Sequence, residues 1–149
     1  MKGEGAMFAK FFNEYEIGET WTSKGRTITE SDIVMFAGLS GDWFSLHTDQ
    51  EYAATTQYKK RVAHGMLTLS VSSGLWILHP DVVVAFYGID KLRFIRPTFI
   101  GDTLHIELEV IKLVEKPNGN GLVIVEQKMC KQTGEIVSIA EISMLIKKS

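Results

Sequence analysis

Residues 62–80, VAHGMLTLSVSSGLWILHP, contain no Asp, Glu, Lys or Arg. By length alone such a stretch can cross a bilayer as a helix. Its composition argues against this, because it holds three Ser, one Thr, two Gly and two His and ends in Pro. The chain has no second long apolar stretch. We therefore predict a helix over residues 64–78, buried inside protein because it is apolar nearly all round, and we expect no membrane partner.

The second half of the chain shows the two-residue periodicity of β-strands. In residues 103–110, Leu104, Ile106, Leu108 and Val110 alternate with polar side chains, which is typical of a half-buried antiparallel strand. Further strands are predicted over residues 20–28, 81–86, 91–94, around Val123 and over 136–146, with turns at 117–121 and 133–134. The pattern predicts an α+β fold in which antiparallel strands surround one central helix.

Two shorter helices are expected between the first strand and the apolar run. Thr29 and Asp32 have the spacing of a capping-box variant, which predicts a helix that stops at the glycines following residue 37. A loop is predicted over residues 40–48. After it, Thr48 or Asp49 can cap the second short helix.

The chain has 149 residues, of which 45% are hydrophobic and 23% charged, and its net charge is −2. This length predicts one domain over residues 1–149. The charge argues against nucleic acid as a partner, because nucleic-acid-binding domains carry a basic surface. The single cysteine, Cys130, cannot form an intrachain disulfide, and the first residues lack the uninterrupted apolar stretch of a secretory signal. We therefore expect a reducing, cytoplasmic location.

The densest group of polar residues is FAGLSGDWFSLHTD, residues 36–49. Asp42 and His47 lie five positions apart in a glycine-flanked loop, so a carboxylate and an imidazole can converge on one water molecule as proton-transfer groups. Trp43 and Phe44 are expected to exclude solvent there. The same spacing also fits a pair that only braces the loop, with both side chains bonded to backbone. Spacing alone leaves both interpretations open.

A second polar group, RVAHGM at residues 61–66, opens the apolar run. Gly65 at a helix start exposes backbone N–H groups at the positive end of the helix dipole, which can hold a developing oxyanion such as a thioester enolate. Alternatively, His64 only caps the helix, and Gly65 lets another backbone pass closely. Lys60 and Arg61 belong to a small basic run that is either solvated surface or a contact for a ligand phosphate.

Taken together, these segments resemble the MaoC-like hydratases and dehydratases, which include the (R)-specific enoyl-CoA hydratases. The resemblance rests on residues 36–49, on HGML at residues 64–67 and on FIRPTFIGD at residues 94–102, in this order. It extends over about residues 16–147. It implies a hotdog fold, in which an antiparallel sheet wraps round a long central helix. It also implies a homodimer or a dimer of dimers, with the active site near the subunit interface.

The resemblance further implies reversible addition of water to a trans-2-enoyl thioester, which gives a 3-hydroxyacyl thioester. Coenzyme A or acyl-carrier protein is the handle of that substrate, and no metal or redox cofactor is implied. Asp42 and His47 match the catalytic pair of the family, Gly65 matches the position whose N–H holds the thioester carbonyl, and Ser70 matches a serine that supports the aspartate. Beside these we expect His64 at the thioester carbonyl, Ser40 as a further support, Trp43, Phe44 and Met66 in the acyl pocket, and Arg61 with Lys60 at a phosphate of coenzyme A.

The chain departs from the family pattern at two places. Phe44-Ser45 stands where the family has Asn-Pro, and Val62 follows Arg61 without the proline that often precedes the His-Gly segment. Neither change removes a proton-transfer group, so both bear on the acyl substrate more than on the reaction type. Two alternatives stay open on the same fold: a thioesterase, which hydrolyses the thioester, and a non-catalytic acyl-CoA-binding subunit.

Overall fold

The structure is a computed structural model that describes residues 6–149. Residues 1–5, which the predicted domain over 1–149 includes, lie outside the described residues. The strands are β1 (Thr20–Thr22), β2 (Arg26–Thr27), β3 (Val83–Phe94), β4 (Thr103–Lys116), β5 (Asn120–Lys131) and β6 (Ile136–Lys147). The helices are a 3₁₀ turn (Phe12–Glu14), α1 (Glu30–Ser40), α2 (Ser45–Thr48), α3 (Gln50–Thr55) and α4 (Gly65–Leu75). The predicted α+β class is confirmed.

Among the described residues, the strands form one antiparallel sheet in the order β1-β4-β5-β6-β3, and β2 also pairs with β4. In β4 the side chains of Leu104, Ile106 and Leu108 are buried, whereas Glu107 between them is exposed. This alternation confirms the strand predicted over residues 103–110. The strand continues to Lys116 because β5 pairs with it along its whole length.

Two predicted strands differ from the observed ones. The single opening strand is divided into β1 and β2, because Ser23 bonds Ile106 with both its backbone N–H and its hydroxyl oxygen in the gap between them. The two pieces predicted over 81–86 and 91–94 are one strand, β3, whose pairing with β6 shifts register at three places. Lys91 has a positive φ of 53° at the last of these register shifts, between Asp90 and Arg93. A bulge of this kind lets the strand stay paired with β6 on both sides of the irregularity.

Helix α4 lies on the inner face of the sheet and shares the core with it. Leu67 and Leu75 belong to one buried cluster with Ile106, Val125 and Ile142. The helix is shorter than the predicted 64–78, and in residues 6–149 no helix combines the length and hydrophobicity that crossing a bilayer requires. One face of α4 therefore packs against the sheet, whereas Ile77 and Leu78 at the end of the apolar run are exposed.

The end of α4 is set by a buried tryptophan. Trp76 donates a hydrogen bond from Nε1 to Gln127 Oε1 of β5 at 2.6 Å, and its ring meets Phe8 edge-on. Ile77 then has a positive φ of 53°, which an α-helix does not allow. Anchoring Trp76 in the core thus ends the helix three residues before the predicted position.

One face of α4 is exposed in the single chain, contrary to the prediction that the helix is buried all round. Met66 has 56% of its surface exposed, and Ser70 and Ser73 are exposed with it. The helix hydroxyls are satisfied locally, since Ser72 donates to the carbonyl of Leu69 at 2.6 Å. A helix rich in Ser and Thr can therefore carry an uncharged surface without unpaired hydroxyl groups. The sheet of one chain covers only the opposite face.

The segment before α4 is ordered by caps. Thr29 and Asp32 form the predicted capping box of α1, and Asp32 also pairs with Arg26 through two hydrogen bonds. The predicted loop over 40–48 contains a helical turn, α2, because the Thr48 hydroxyl donates to the carbonyls of Trp43 and Phe44. Asp49, rather than Thr48, caps α3. These caps place residues 41–49 beside the beginning of α4.

Cys130 is buried, as expected for a small apolar residue. Burial and the nearby Glu107 carboxylate raise the pKa of its thiol to about 11. The thiol therefore keeps its proton at neutral pH.

Candidate active site

A cleft of about 410 Å³ opens at the N-terminal end of α4. It is lined by Asp42 from the loop after α1, by His47 from α2, and by His64, Gly65 and Met66 at the start of α4. The end of β3 and the residues after it form the opposite wall. The tertiary structure thus brings together five of the residues that the sequence analysis selected from two separate segments.

His47 is held in one tautomer. Its Nδ1 lies 2.6 Å from the carbonyl oxygen of Val62, and because a carbonyl oxygen only accepts, the hydrogen of the neutral ring is on Nδ1. Burial lowers the pKa of His47, and the neighbouring His64 adds to this effect. The ring is therefore neutral at pH 7, with a lone pair on Nε2 that can accept a proton.

His64 joins the two segments of the site. Its side chain is almost fully buried, and its Nε2 donates to the backbone carbonyl oxygen of Asp42 at 2.9 Å. Its ring stacks on that of His47, with centroids 4.0 Å apart. Within the described residues, Nδ1 of His64 is buried without a hydrogen-bond partner. His64 thus fixes the backbone of Asp42 against the start of α4, while the Asp42 carboxylate remains exposed.

The side chains of Asp42, His47 and His64 converge. Their carboxylate oxygen and ring nitrogens, one atom from each residue, lie within 4.8 Å of one another. Since a hydrogen bond to water spans about 2.8 Å, one water molecule can contact both the Asp42 carboxylate and the His47 ring. Two imidazoles and a carboxylate are also a donor set that divalent metals accept, and these are the cleft residues that could hold one.

The beginning of α4 supplies hydrogen-bond donors to the cleft. Gly65 is the first helical residue, and the first bond within the helix runs from the N–H of Thr68 to His64, so the preceding N–H groups have no partner inside the helix. The helix dipole makes this end positive. The site can therefore stabilise negative charge that develops on an oxygen.

Phe94 explains why residue 65 is glycine. A Cβ atom at Gly65 would lie 2.9 Å from the Phe94 ring, which is closer than carbon atoms approach without displacement. Phe94 lines the cleft but is not among the site residues predicted from sequence. Phe94 belongs to segment 94–102, which carries part of the family resemblance, and this was the one indication of a role in the site. The sequence does not show that the end of β3 lies against the start of α4.

The two serines expected to support Asp42 are placed differently. The Ser40 hydroxyl donates to the Phe36 carbonyl at 2.7 Å and accepts from the Asp42 N–H at 3.1 Å, so it holds the loop. The Ser70 hydroxyl donates to the Met66 carbonyl, and Ser70 lines a separate depression beside Arg26. Within one chain the structure does not bring Ser70 to Asp42, because Ser70 lies on the exposed face of α4.

Trp43 and Phe44 do not line the cleft within the chain, and each has 55% of its surface exposed. They therefore do not provide the expected exclusion of solvent from Asp42 in the single chain. Phe44 instead packs edge-on against the rings of His47 and Tyr52, with centroids 5.7 and 6.3 Å away. The aromatic ring that replaces the family's Asn thus acts as a lateral support for the imidazole.

Arg61 has hydrogen-bond partners within the chain. Its guanidinium donates to the backbone carbonyl of His47 at 2.7 Å and to Glu30 Oε1 at 2.6 Å, so it holds the loop of His47 and is not a free cation. Lys60 lies with Nζ 4.4 Å from the centre of the Phe99 ring. Both residues line a second depression of about 360 Å³, outside the cleft. Contact of Lys60 or Arg61 with a phosphate stays a prediction.

Comparisons with known proteins identify the family of the chain. The MaoC like domain family matches residues 12–131. The (R)-specific enoyl-CoA hydratase of Rhodospirillum rubrum is 32% identical over 136 residues, which cover 91% of each chain. Protein MaoC of Klebsiella aerogenes is 42% identical over 104 residues, 68% of this chain. That match spans only 30% of the Klebsiella protein, so this chain corresponds to a part of it.

Two solved structures have the same fold. The monoamine oxidase regulatory protein from Archaeoglobus fulgius superposes with a TM-score of 0.89 and 37% identity, covering 100% of this chain and 97% of the other. A Mycobacterium tuberculosis protein described as a double hotdog fold has a TM-score of 0.82 and 24% identity, covering 94% of this chain and 44% of its own. This protein has the α+β hotdog fold and belongs to the MaoC-like domain family.

Proposed function

We propose that this protein is an enoyl-thioester hydratase that also acts in reverse as a 3-hydroxyacyl-thioester dehydratase. The observation that carries the proposal is the convergence of Asp42 and His47 within the reach of one water molecule, beside the N–H groups at the start of α4 that have no partner within the helix. Family membership and the hydratase name of the Rhodospirillum rubrum relative support a hydro-lyase reaction.

In the proposed reaction, the thioester carbonyl oxygen accepts a hydrogen bond from the N–H of Gly65. Asp42 accepts one hydrogen of the water, and Nε2 of His47 removes the other as the water oxygen bonds to C3 of the substrate. The electron pair of the C2–C3 double bond then forms an enolate, whose oxygen the positive end of α4 stabilises. The protonated His47 returns the proton to C2, which completes the 3-hydroxyacyl thioester.

The proposed chemistry uses side chains and backbone of the protein, with coenzyme A or acyl-carrier protein as part of the substrate and no further cofactor. Hydration requires a base for water but no nucleophile that forms an ester with the acyl group. The cleft offers the neutral imidazole of His47 as such a base, and among the described residues its lining contains no Ser or Cys. We also propose a cytoplasmic location, because the buried Cys130 forms no disulfide and free thiols are typical of reducing compartments.

We also propose that two copies form a homodimer through β3. This strand is at the edge of the sheet, and an edge with unpaired backbone groups is a template for pairing with another chain. Val84, Phe86 and Tyr87 on β3 are each more than two-fifths exposed, and Met66 on α4 extends the apolar surface. A second copy would cover this surface and the exposed face of α4.

The reaction is tested with a panel of trans-2-enoyl-CoA substrates of increasing acyl length. Hydration removes the conjugated double bond, so the absorbance of the enoyl thioester falls while no free thiol appears. Release of thiol from a saturated acyl-CoA, without hydration of any enoyl-CoA, would instead establish the thioesterase alternative. Thermal stabilisation by acyl-CoA without turnover on any chain length would establish the binding subunit.

A further inference from the structure

A second cluster of metal-binding side chains lies on the sheet, away from the cleft. His105 and Glu107 are two residues apart on β4 and therefore project from the same face. Cys130 of β5 is directly opposite His105 in the strand register. None of these three residues lines the 410 Å³ cleft. The pairing of two strands thus places an imidazole, a carboxylate and a thiol side by side.

We propose that His105, Glu107 and Cys130 form a binding site for a zinc ion. Their possible ligand atoms, one from each residue, lie within 4.8 Å of one another. Cys130 Sγ is 3.7 Å from one carboxylate oxygen of Glu107, and His105 Nε2 is 3.7 Å from the other. Zinc binds these three donor types and accepts three protein ligands when a water molecule takes the fourth position.

The geometry requires only small adjustments. Zinc lies about 2.0–2.3 Å from nitrogen, oxygen and sulfur ligands, so neighbouring ligand atoms of a tetrahedral site are roughly 3.3–3.8 Å apart. The Sγ–Oε2 and Nε2–Oε1 separations are both 3.7 Å, so either oxygen of Glu107 already lies at such a distance from one of the other two ligands, and a small rotation of the carboxyl group brings one oxygen toward both. When the ion binds, the thiol proton of Cys130 passes to solvent and the sulfur binds as thiolate. The bound divalent charge then offsets the thiolate and the Glu107 carboxylate.

The surroundings of the cluster fit an ion that enters from solvent. Cys130 is buried at the base of the cluster, whereas the side chain of Glu107 is half exposed and that of His105 about a quarter. Lys128, which is opposite Glu107 across the strand pair, lies 3.7 Å from Glu126. A metal ion can therefore bind the exposed Glu107 carboxylate first and then coordinate the Cys130 sulfur.

Cobalt(II) is a spectroscopic probe for this site in the full-length protein. A cobalt–thiolate bond produces an intense near-ultraviolet absorbance, and the chain contains one cysteine, so any such band reports Cys130. We expect the band to saturate at one cobalt per chain and to disappear when zinc is added. Absence of the band in the wild-type protein would overturn the proposal.

Variants then test the other two ligands. His105→Gln and Glu107→Gln should each weaken cobalt binding at least tenfold as followed by this band. Glu109→Gln, on the same face of β4, is the matched control and should bind as the wild type does. His47→Gln should also leave the band unchanged, because the cleft cluster contains no sulfur. Equal affinity in the wild type, His105→Gln and Glu107→Gln would show that sulfur alone binds cobalt, and would overturn the site.

Discussion

The imidazole rings of His47 and His64 are stacked, with centroids 4.0 Å apart and an angle of 30° between their planes. Each ring donates one N–H to a backbone carbonyl, His47 to Val62 and His64 to Asp42. A positive charge on one ring would oppose protonation of the other, because like charges at this distance repel. The stack thus stabilises a neutral His47 in the cluster that it forms with Asp42 and His64.

Removing either proton-transfer group should abolish most of the activity. We expect Asp42→Asn and His47→Gln to lower kcat for enoyl-CoA hydration by about 10²–10⁴-fold, the usual contribution of acid–base catalysis. Both variants should remain folded by circular dichroism. His79→Gln is the matched control, since His79 is exposed beyond the end of α4 and should leave kcat unchanged. Hydration at the wild-type rate by either cleft variant would refute the assigned roles.

The pH profile should report His47. Its pKa in the folded protein is below the ordinary 6.5, and the reaction needs the neutral ring. We expect kcat/KM to fall about tenfold per pH unit on the acid side, with a midpoint below 6.5. At a pH between the lowered pKa of His47 in the folded protein and its ordinary pKa in the unfolded chain, the unfolded state binds more protons at this residue. The stability that the neutral His47 contributes is therefore lost as pH falls from 6.5 toward the folded-state pKa. An acid midpoint above 6.5 in the kinetic profile would contradict this assignment.

The contact between Gly65 and Phe94 should control access to the helix N-terminus. In Gly65→Ala the new methyl group pushes against the Phe94 ring, and we expect kcat/KM to fall at least tenfold. Phe94→Leu removes ring atoms, so the double variant should recover part of the loss. Gly74→Ala, with open space around its Cβ position, controls for glycine replacement within α4. No recovery in the double variant would show that crowding by Phe94 is not the cause.

Arg61 and Lys60 should differ in their effect on catalysis. Arg61→Gln loses the bond to the His47 carbonyl, so we expect kcat to fall roughly tenfold with both acyl-CoA and acyl-pantetheine substrates. Lys60→Gln should instead raise KM for acyl-CoA alone, because acyl-pantetheine lacks the nucleotide phosphates. If Arg61→Gln changed only KM for acyl-CoA, its guanidinium would be a phosphate contact after all.

The proposed dimer should depend on the exposed edge of the sheet. Val84→Glu places a charge on β3, and we expect it to convert the dimer to monomer in analytical ultracentrifugation. Ile17→Glu is the control, because Ile17 is 61% exposed but precedes β1 at the other side of the sheet. A monomeric wild-type protein, or dissociation of both variants, would contradict the proposed interface.

Local patterns in the sequence predicted most of the fold. The alternation around Leu104 and Ile106 identified β4, and the spacing of Thr29 and Asp32 identified the start of α1. The boundaries that failed depend on distant contacts. Helix α4 ends early because Trp76 is bound to Gln127 of β5, a partner 51 residues away that no local pattern indicates.

The candidate site shows the same division. The sequence by itself determined which groups are available, Asp42, His47, His64 and Gly65, since residue types and their spacing are local properties of the chain. Only the tertiary structure decided how they are used, because hydrogen-bond partners and burial arise from packing. Packing oriented His47 toward the Val62 carbonyl, bonded Arg61 to the His47 carbonyl, and placed Phe94 over Gly65.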